Sequence, residues 1–318
     1  MDQSHPTWGV VTTVKTTRDV LEKFIAYHLD LGADHIWVFF DDPNLVCPQS
    51  FQHLPQVSTI ICDQTYYQSH GRTGAERLEL RQSFNAQLIR RTCALDWLCH
   101  IDVDEFVVTD GNVGAYLAAI APSEIALRLN PSEVLSTPAN APLPAGQYYC
   151  KSPVPKGRDD LAEDIYGEYG AVVPQGFLSH RIGKLFLRTS TKNIIHRIHN
   201  IYHRRPGQEP QIIDDLPSNS TLRLVHMHAP NWQAWRGHLD WRHADGAYRA
   251  DLDHAGNQLN AVLNLLKAEA GEAGLRAFYD AMHLATPTLL SNLANADLLR
   301  VETLDLDQKQ ARYFPNSP

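Results

Sequence analysis

The sequence lacks a long apolar run and lacks an excess of basic charge. No stretch approaches the ~18–20 apolar residues that a transmembrane helix needs, and the start, Met1–Pro6, has neither the basic residues nor the apolar segment of a signal peptide. We therefore expect a cytoplasmic protein. The 28 Lys and Arg residues against 36 Asp and Glu give a net charge of −8. This balance excludes a general nucleic-acid binder, because such proteins need a basic surface.

Cysteine is also scarce. The five cysteines form no Cys-x-x-Cys pair and no other spacing typical of a metal site. Cys62, Cys93 and Cys99 have apolar neighbours, so we expect them to be reduced core residues. The rest of the composition, 43% hydrophobic and 20% charged, is typical of a globular protein. In such an acidic chain, any phosphate-bearing ligand must be held locally, by a metal ion and a few placed cations.

Strands and helices alternate through the first half of the sequence. Apolar, β-rich runs predict four strands, at Trp8–Val14, His35–Phe40, Val57–Cys62 and Trp97–Val103. Helical spacing predicts one helix from Thr17 to Gly32 and another from Thr73, where a capping-box pattern begins, to Thr92. The alternation predicts an α/β fold with a mostly parallel sheet flanked by helices.

The second half is less regular. The Pro-rich stretch 130–160 predicts loop, and the sequence after residue 230 predicts mainly helix, most clearly at Asn257–Ala270 and Leu275–His283. His196, His199 and His203 have the spacing of one helical face and could bind zinc, although no other ligand type accompanies them.

The most informative segment is 98–106, Leu-Cys-His-Ile-Asp-Val-Asp-Glu-Phe. Asp102 and Asp104 are two residues apart, so an extended backbone places them on one face. Two neighbouring carboxylates repel each other, and a divalent cation removes that penalty. The alternative is a strand that runs into an acidic turn. Because the motif directly follows an apolar strand, where open α/β sheets bind ligands, we favour a site for Mn²⁺ or Mg²⁺.

With these elements in place, the chain resembles the GT-A glycosyltransferases, specifically their family-2-like group (Glyco_tranf_2_4). The resemblance covers roughly residues 8–240 and is carried by Leu21–His28, Leu31–Asp42, Trp97–Phe106, Gly183–Arg188 and Leu224–His228. It implies a GT-A (Rossmann-like) catalytic domain over residues 1–230. Within it, residues 1–106 would form the nucleotide-sugar half and residues 107–230 the acceptor half. Residues 231–318 would be a helical C-terminal region.

The resemblance also implies a donor site. Asp102 and Asp104 would be the DxD ligands of the cation, which neutralises the departing nucleoside diphosphate. His226 or His228 would supply a further metal ligand. Asp41 and Asp42 match the position that recognises the nucleotide base or ribose, with simple turn chemistry before Pro43 as the alternative.

Basic residues extend this implied donor site. Arg77 and Arg81 share one face of the predicted second helix, where they contact ribose or phosphate or, alternatively, only solvent. Lys184 and Arg188 match the basic strand of the family and could bind phosphate or acceptor.

The catalytic base is less well defined. Glu163 and Asp164 resemble the Glu-Asp pair of family-2 enzymes, with the pair Asp214-Asp215 as the alternative. Glu105 either supports the site or turns toward the acceptor.

The sequence thus predicts a metal-dependent, inverting glycosyltransferase that moves a sugar from a UDP-sugar to a glycan or glycolipid acceptor. A role in bacterial surface-polysaccharide synthesis would suit such a chain, acting at the inner membrane. The helical C-terminal region could carry a peripheral membrane contact or a homodimer contact. Two alternatives are a sugar nucleotidyltransferase and a non-catalytic binding module on a degenerate GT-A fold. The first is disfavoured because Val10–Lys15 contains no Gly-rich phosphate loop.

Overall fold

The computed structural model describes residues 5–42, 51–138, 141–244, 246, 248–250 and 254–315. The chain forms two compact units. Unit 1 contains Met1–Asn130, Ile182–Leu224 and Asp305–Pro318, and unit 2 contains Pro131–Arg181 and Val225–Leu304. The predicted division into a catalytic domain with two functional halves (1–106 and 107–230) and a helical C-terminal region (231–318) stays a prediction.

Thirteen strands and ten α-helices occur in the described part of the chain. The strands are β1 Trp8–Val14, β2 His35–Phe40, β3 Val57–Ile61, β4 Trp97–His100, β5 Glu105–Thr109, β6 Ala126–Val134, β7 Gln147–Lys151, β8 Lys184–Arg188, β9 Ile194–His196, β10 Ile201–His203, β11 Gln211–Ile213, β12 Ser218–His226 and β13 Leu299–Thr303. The helices are α1 Arg18–Asp30, α2 Gln64–Ser69, α3 Leu78–Thr92, α4 Val113–Ala118, α5 Asp159–Tyr166, α6 Trp232–Gly237, α7 Leu239–Ala244, α8 His254–His283, α9 Pro287–Asn295 and α10 Leu306–Tyr313.

The sheet of unit 1 has the order β6-β8-β4-β1-β2-β3. Strands β3, β2, β1 and β4 are parallel, whereas β8 joins β4, and β6 joins β8, in antiparallel pairs. All seven residues of β1 are buried, as expected for a central parallel strand. The predicted α/β class, with a parallel sheet at its centre, is confirmed.

Helices α1 and α10 pack against each other in unit 1. The Thr17 side chain accepts a hydrogen bond from the Val20 amide and so caps α1, and the chain turns away at Gly32, whose φ of +99° favours glycine. Helix α10 packs against α1 and is tied to it by an ion pair between Lys309 and Asp30 at 3.6 Å. None of the helices in the described ranges has the length and apolar character needed to cross a membrane.

Two predicted element boundaries in unit 1 are wrong. Strand β4 ends at His100, and Asp102–Asp104 lies in a turn closed by the Glu105 amide, which donates to the Asp102 carbonyl at 3.0 Å. The same-face argument for the two aspartates therefore does not apply. Helix α3 begins at Leu78 rather than Thr73, and Glu76, which precedes it, pairs with Arg72 at 3.3 Å.

A separate three-stranded sheet in unit 1 has the order β11-β10-β9. His196 and His203 lie on β9 and β10, which pair antiparallel, and His199 lies in the connection between them. The helical spacing suggested for a zinc site is therefore wrong.

Unit 2 combines antiparallel strands with helices. Strand β7 pairs with β13 and with Glu133 and Val134 of β6. A hydrophobic core cluster of unit 2 includes Trp235, Phe278 and Tyr279, all fully buried. The prediction of loop over 130–160 is wrong at two places, because β6 continues to Val134 and β7 spans Gln147–Lys151. Helix α8 is interrupted at Gly271, with φ +59°, which separates the two helices that the sequence predicted.

Candidate functional site

The candidate site lies at the carboxyl ends of the parallel strands of unit 1. Strand β1 is flanked by β2 on one side and β4 on the other, so the strand order reverses its direction at β1. Such a switch in strand order opens a crevice at the carboxyl ends, where doubly wound sheets bind ligands. Asp41 directly follows β2, and Asp102 follows β4 by one residue. Both carboxylates therefore belong to this edge.

Asp102 is held by side chains from three elements. The Lys184 ammonium, on β8, lies 2.6 Å from Oδ2 of Asp102, and the Gln82 amide, on α3, donates to Oδ1 at 2.7 Å. Glu105 completes the group: its Oε2 accepts a hydrogen bond from the Asp102 amide at 2.8 Å and lies 3.1 Å from Nζ of Lys184. Lys184 and Glu105 are fully buried, whereas the Asp102 side chain is 31% exposed. Of these three charged residues, only Asp102 is therefore accessible to a ligand.

The charges of this cluster compensate one another. Burial alone would raise the pKa of Asp102, but the Lys184 ammonium outweighs it and holds that pKa below its ordinary value. Burial alone would lower the pKa of Lys184, but the Asp102 and Glu105 carboxylates outweigh this effect and raise the pKa above its ordinary value. Neighbouring His100 is buried and has its pKa lowered to about 3, so it is neutral at pH 7. Asp102 is therefore ionised over the whole physiological range.

The donor set suits a hard divalent cation. Each Asp102 oxygen accepts one hydrogen bond and has a second lone pair left for a metal ion. Asp104 is half-buried two residues further on, at the end of the same turn. Carboxylate oxygens of this kind suit Mg²⁺ or Mn²⁺. Asp102 and Asp104 thus fit the predicted cation by their chemistry.

A pocket of about 380 Å³ opens beside Asp41. Arg81 forms a two-pronged ion pair with Asp41, through Nε at 2.7 Å and through Nη2, and the Tyr67 hydroxyl donates to Asp41 Oδ1 at 3.1 Å. Arg81 is held by this hydrogen-bonded pair, which raises its pKa. Asp42 pairs with the exposed Lys15 at 3.3 Å. Asp41 is thus fixed in the wall of a cavity of ligand size.

Helix α3 connects the pocket with the acidic cluster. Consecutive residues Arg81 and Gln82 bond Asp41 and Asp102, respectively. One turn later, the buried Asn85 amide donates to the Thr13 hydroxyl near the end of β1 at 2.9 Å. Arg77, at the N-cap, is exposed. The sequence singled out Arg81 but missed Gln82, whose position beside Arg81 in the predicted helix was the available signal.

Arg188 is not brought to this group. It pairs with Trp97 at the opposite end of β4, where its guanidinium lies 4.2 Å from the Trp97 ring centroid. It also donates to the carbonyls of Glu124 at 2.8 Å and Ile120 at 3.1 Å. These contacts give Arg188 a structural role in unit 1, whereas Lys184, four residues earlier, reaches Asp102.

The carboxylates predicted as the catalytic base are all exposed. Glu163 and Asp164 are exposed on α5 of unit 2, and the alternative pair Asp214-Asp215 is exposed after β11 in unit 1. The roles predicted for these carboxylates stay predictions.

The two predicted histidine ligands are buried in unit 2. The rings of His226 and His228 lie 5.2 Å apart, and Nε2 of His228 is hydrogen-bonded to the Tyr248 hydroxyl at 2.9 Å. Burial lowers the pKa of His228 well below its ordinary value. A neutral ring can act as a metal ligand, but the ligand role predicted for either histidine stays a prediction.

Comparison with known proteins gives only distant likenesses. No protein-family model and no curated protein matches the sequence. The structure of GalNAc-T7 with UDP, GalNAc and Mn²⁺ is 10% identical, with a TM-score of 0.37 over 87% of this chain and 59% of that one. HddC from Yersinia pseudotuberculosis is 8% identical, with a TM-score of 0.34 over 70% of this chain and 93% of that one. CMP:2-keto-3-deoxy-manno-octonic acid synthetase complexed with CTP is 13% identical, with a TM-score of 0.31 over 57% and 74%. Likenesses this distant carry no argument about activity, and membership of the family-2-like group stays a prediction.

Proposed function

We propose that the chain is a metal-dependent, inverting glycosyltransferase that transfers a sugar from a UDP-sugar to a glycan or glycolipid acceptor. The observation that carries this proposal is the arrangement of two carboxylate sites along one edge of the parallel sheet. Asp102, ionised and partly exposed, follows β4, and Asp41, fixed in the wall of a pocket, follows β2. An acidic edge of this kind suits a ligand with a cation-bound diphosphate at one end and hydrogen-bonding groups at the other.

The Asp41 pocket would bind the nucleoside end of the donor. A carboxylate accepts hydrogen bonds from the N–H of uracil or from ribose hydroxyls. Because Arg81 and Tyr67 already bond Asp41, its carboxylate is oriented before the ligand arrives. Such preorganisation lowers the entropic cost of binding. Arg81 therefore acts through Asp41, rather than as the direct ribose or phosphate contact that the sequence suggested.

The acidic cluster would bind the diphosphate end. Asp102 and Asp104 would hold Mn²⁺ or Mg²⁺, which supplies charge neutralisation for the departing nucleoside diphosphate. Lys184 keeps Asp102 ionised, and Gln82 fixes its carboxylate. Glu105 holds the turn through the Asp102 amide, which favours the supporting role among the two that the sequence left open. Glu163 and Asp164 remain the proposed acceptor base.

Calorimetric titration with UDP tests this proposal. The wild-type protein is expected to bind UDP with Mn²⁺ and to lose most of that affinity with EDTA. Asp104→Asn should weaken Mn²⁺-dependent binding at least about tenfold, since one charged metal ligand is lost. The matched control is Asp307→Asn on α10, because the Asp307 side chain is 90% exposed. Equal UDP affinity with Mn²⁺ and with EDTA, or in Asp104→Asn and wild type, would contradict the proposal.

A further inference from the structure

A second pocket in unit 1 lies at the opposite end of β4 from Asp102. Its volume is about 440 Å³, and it is formed by the C-terminal end of α3, the segment 189–194 after β8, and Arg204 after β10. Trp97, at the start of β4, pairs with Arg188, next to this segment. Strand β4 spans about 10 Å from Trp97 to His100, and Asp102 lies two residues beyond it. The second pocket is therefore distinct from the candidate donor site.

The charge of the pocket has one sign. Four of its lining residues are cationic, Arg90, Arg91, Lys192 and Arg204, and none is acidic. The chain as a whole has a net charge of −8, so this concentration of positive charge runs against its composition. Within the described ranges, no carboxylate lies within 4.0 Å of the charged nitrogens of these four residues. The pocket therefore attracts anions.

Arg90 shows that the pocket is built into the fold. Its side chain is 5% exposed, and its guanidinium donates to the carbonyls of Thr191 at 2.5 Å and Thr189 at 3.3 Å. These bonds fasten the segment after β8 to α3. Carbonyl oxygens satisfy the N–H groups of a guanidinium but do not neutralise its charge, which burial makes costly. Burial and the neighbouring Arg91 accordingly lower the pKa of Arg90.

The lining also indicates which kind of anion fits. The hydroxyls of Ser190 and Thr191 and the amide of Asn193 are hydrogen-bonding groups suited to oxyanion oxygens. The lining contains no aromatic side chain, so there is no surface on which a nucleobase could stack. We propose that this pocket is a second binding site, for a phosphate or diphosphate group, borne either by a small soluble molecule or by an anionic lipid headgroup.

Pyrophosphate titration in EDTA tests the proposal. EDTA chelates divalent cations and so prevents metal-dependent binding of pyrophosphate at Asp102. Ionic strength is held constant with sodium chloride, because screening alone changes such affinities. The test variant is Arg91→Gln with Arg204→Gln. The control is Arg197→Gln with Arg205→Gln, which removes the same charge from exposed arginines that do not line the pocket. Arg90 is left intact because its loss would loosen the pocket itself.

Wild type is expected to bind pyrophosphate, the test variant to bind about tenfold more weakly or worse, and the control within about twofold of wild type. Co-sedimentation with phosphatidylcholine vesicles, with and without phosphatidic acid, distinguishes the two sources. Binding to the acidic vesicles that only the test variant loses, without binding of pyrophosphate, assigns the site to a lipid headgroup. Absence of both kinds of binding in wild type, or equal losses in the two variants, would overturn the proposal.

Discussion

Nζ of Lys184 lies 2.6 Å from Oδ2 of Asp102, although the two residues are 82 positions apart in the chain. Glu105 lies 3.1 Å from the same ammonium, so one cation serves two carboxylates and the group keeps one net negative charge. An acidic group that is only partly neutralised can remain folded without a metal ion and still attract one. This balance is the basis of the donor site proposed above.

Replacing Lys184 with Met tests the buried ion pair. The substitution leaves Glu105 and Asp102 without their cation, and we expect the free energy of unfolding at pH 7 to fall by about 3–5 kcal/mol. Urea denaturation measures this loss. Lys156→Met, at an exposed position, is the control and should change stability by less than about 0.5 kcal/mol.

The pH dependence of this loss is a second test. The folded-state pKa of Asp102 lies below its ordinary value of 3.8, so the unfolded chain binds more protons as the pH falls. The stabilisation is therefore complete above about pH 5 and is lost progressively below it. The stability difference between wild type and Lys184→Met should shrink from pH 5 to about pH 3. A difference that stays constant over this range would show that Lys184 contributes only packing.

Arg188→Met separates a structural cation from a ligand-binding one. Arg188 donates to the carbonyls of Glu124 and Ile120 and stacks on Trp97, far along β8 from Asp102. We expect this variant to lose about 1.5–3 kcal/mol of stability, because charge-assisted hydrogen bonds are lost. Its affinity for UDP with Mn²⁺, measured by calorimetry at a temperature where the variant is folded, should stay within about twofold of wild type. A large loss of UDP affinity would instead support the predicted role of Arg188 in binding the donor.

Lys151 gives unit 2 a pH dependence of its own. Its ammonium is fully buried, donates to the carbonyls of Gly176 at 2.6 Å and Met282 at 2.9 Å, and lies 3.5 Å from Glu133. Burial lowers the pKa of Lys151 from 10.5 to about 8. Between these values the unfolded chain binds more protons than the folded one, so the stability that Lys151 contributes rises with pH.

The measurement compares wild type with the double variant Lys151→Met and Glu133→Gln, which removes both titrating groups. The difference in unfolding free energy should grow in favour of wild type from about pH 8 to about pH 10. Because other groups titrate equally in both proteins, their contributions cancel. A difference that is flat or decreasing over this range would contradict the lowered pKa.

Asp41→Asn tests the nucleoside end of the proposed site. The Asp41 carboxylate is the acceptor that uracil or ribose would use, and it is oriented by Arg81 and Tyr67. We expect the affinity for UDP to fall about tenfold, with the affinity for Mn²⁺ alone unchanged. Calorimetry with each ligand separately checks this. Asp63→Asn is a less suitable control, because Asp63 caps α2 through the Tyr66 amide; Asp307→Asn serves instead.

The sequence predicted the elements of unit 1 better than the contacts of its site. Apolar runs determine β1, β2 and β4 directly, because strands buried on both faces must be apolar throughout. The turn at Asp102–Asp104 could not be predicted from alternation, since it depends on Glu105 and on Lys184. Lys184 contacts the turn from a segment that is distant in sequence. The periodicity of a single amino-acid sequence does not indicate such a contact.

Turnover of UDP-sugars tests the central claim most directly. Release of UDP from a panel of UDP-sugars would be measured with Mn²⁺ and with EDTA, for wild type, Asp104→Asn and Asp307→Asn. The proposed function predicts slow hydrolysis of one donor by wild type and by Asp307→Asn, lost with EDTA and in Asp104→Asn. UDP binding without turnover of any donor would favour a binding module, and release of pyrophosphate from a nucleoside triphosphate and a sugar phosphate would favour a nucleotidyltransferase. Either result would contradict a glycosyltransferase built on Asp102 and Asp104.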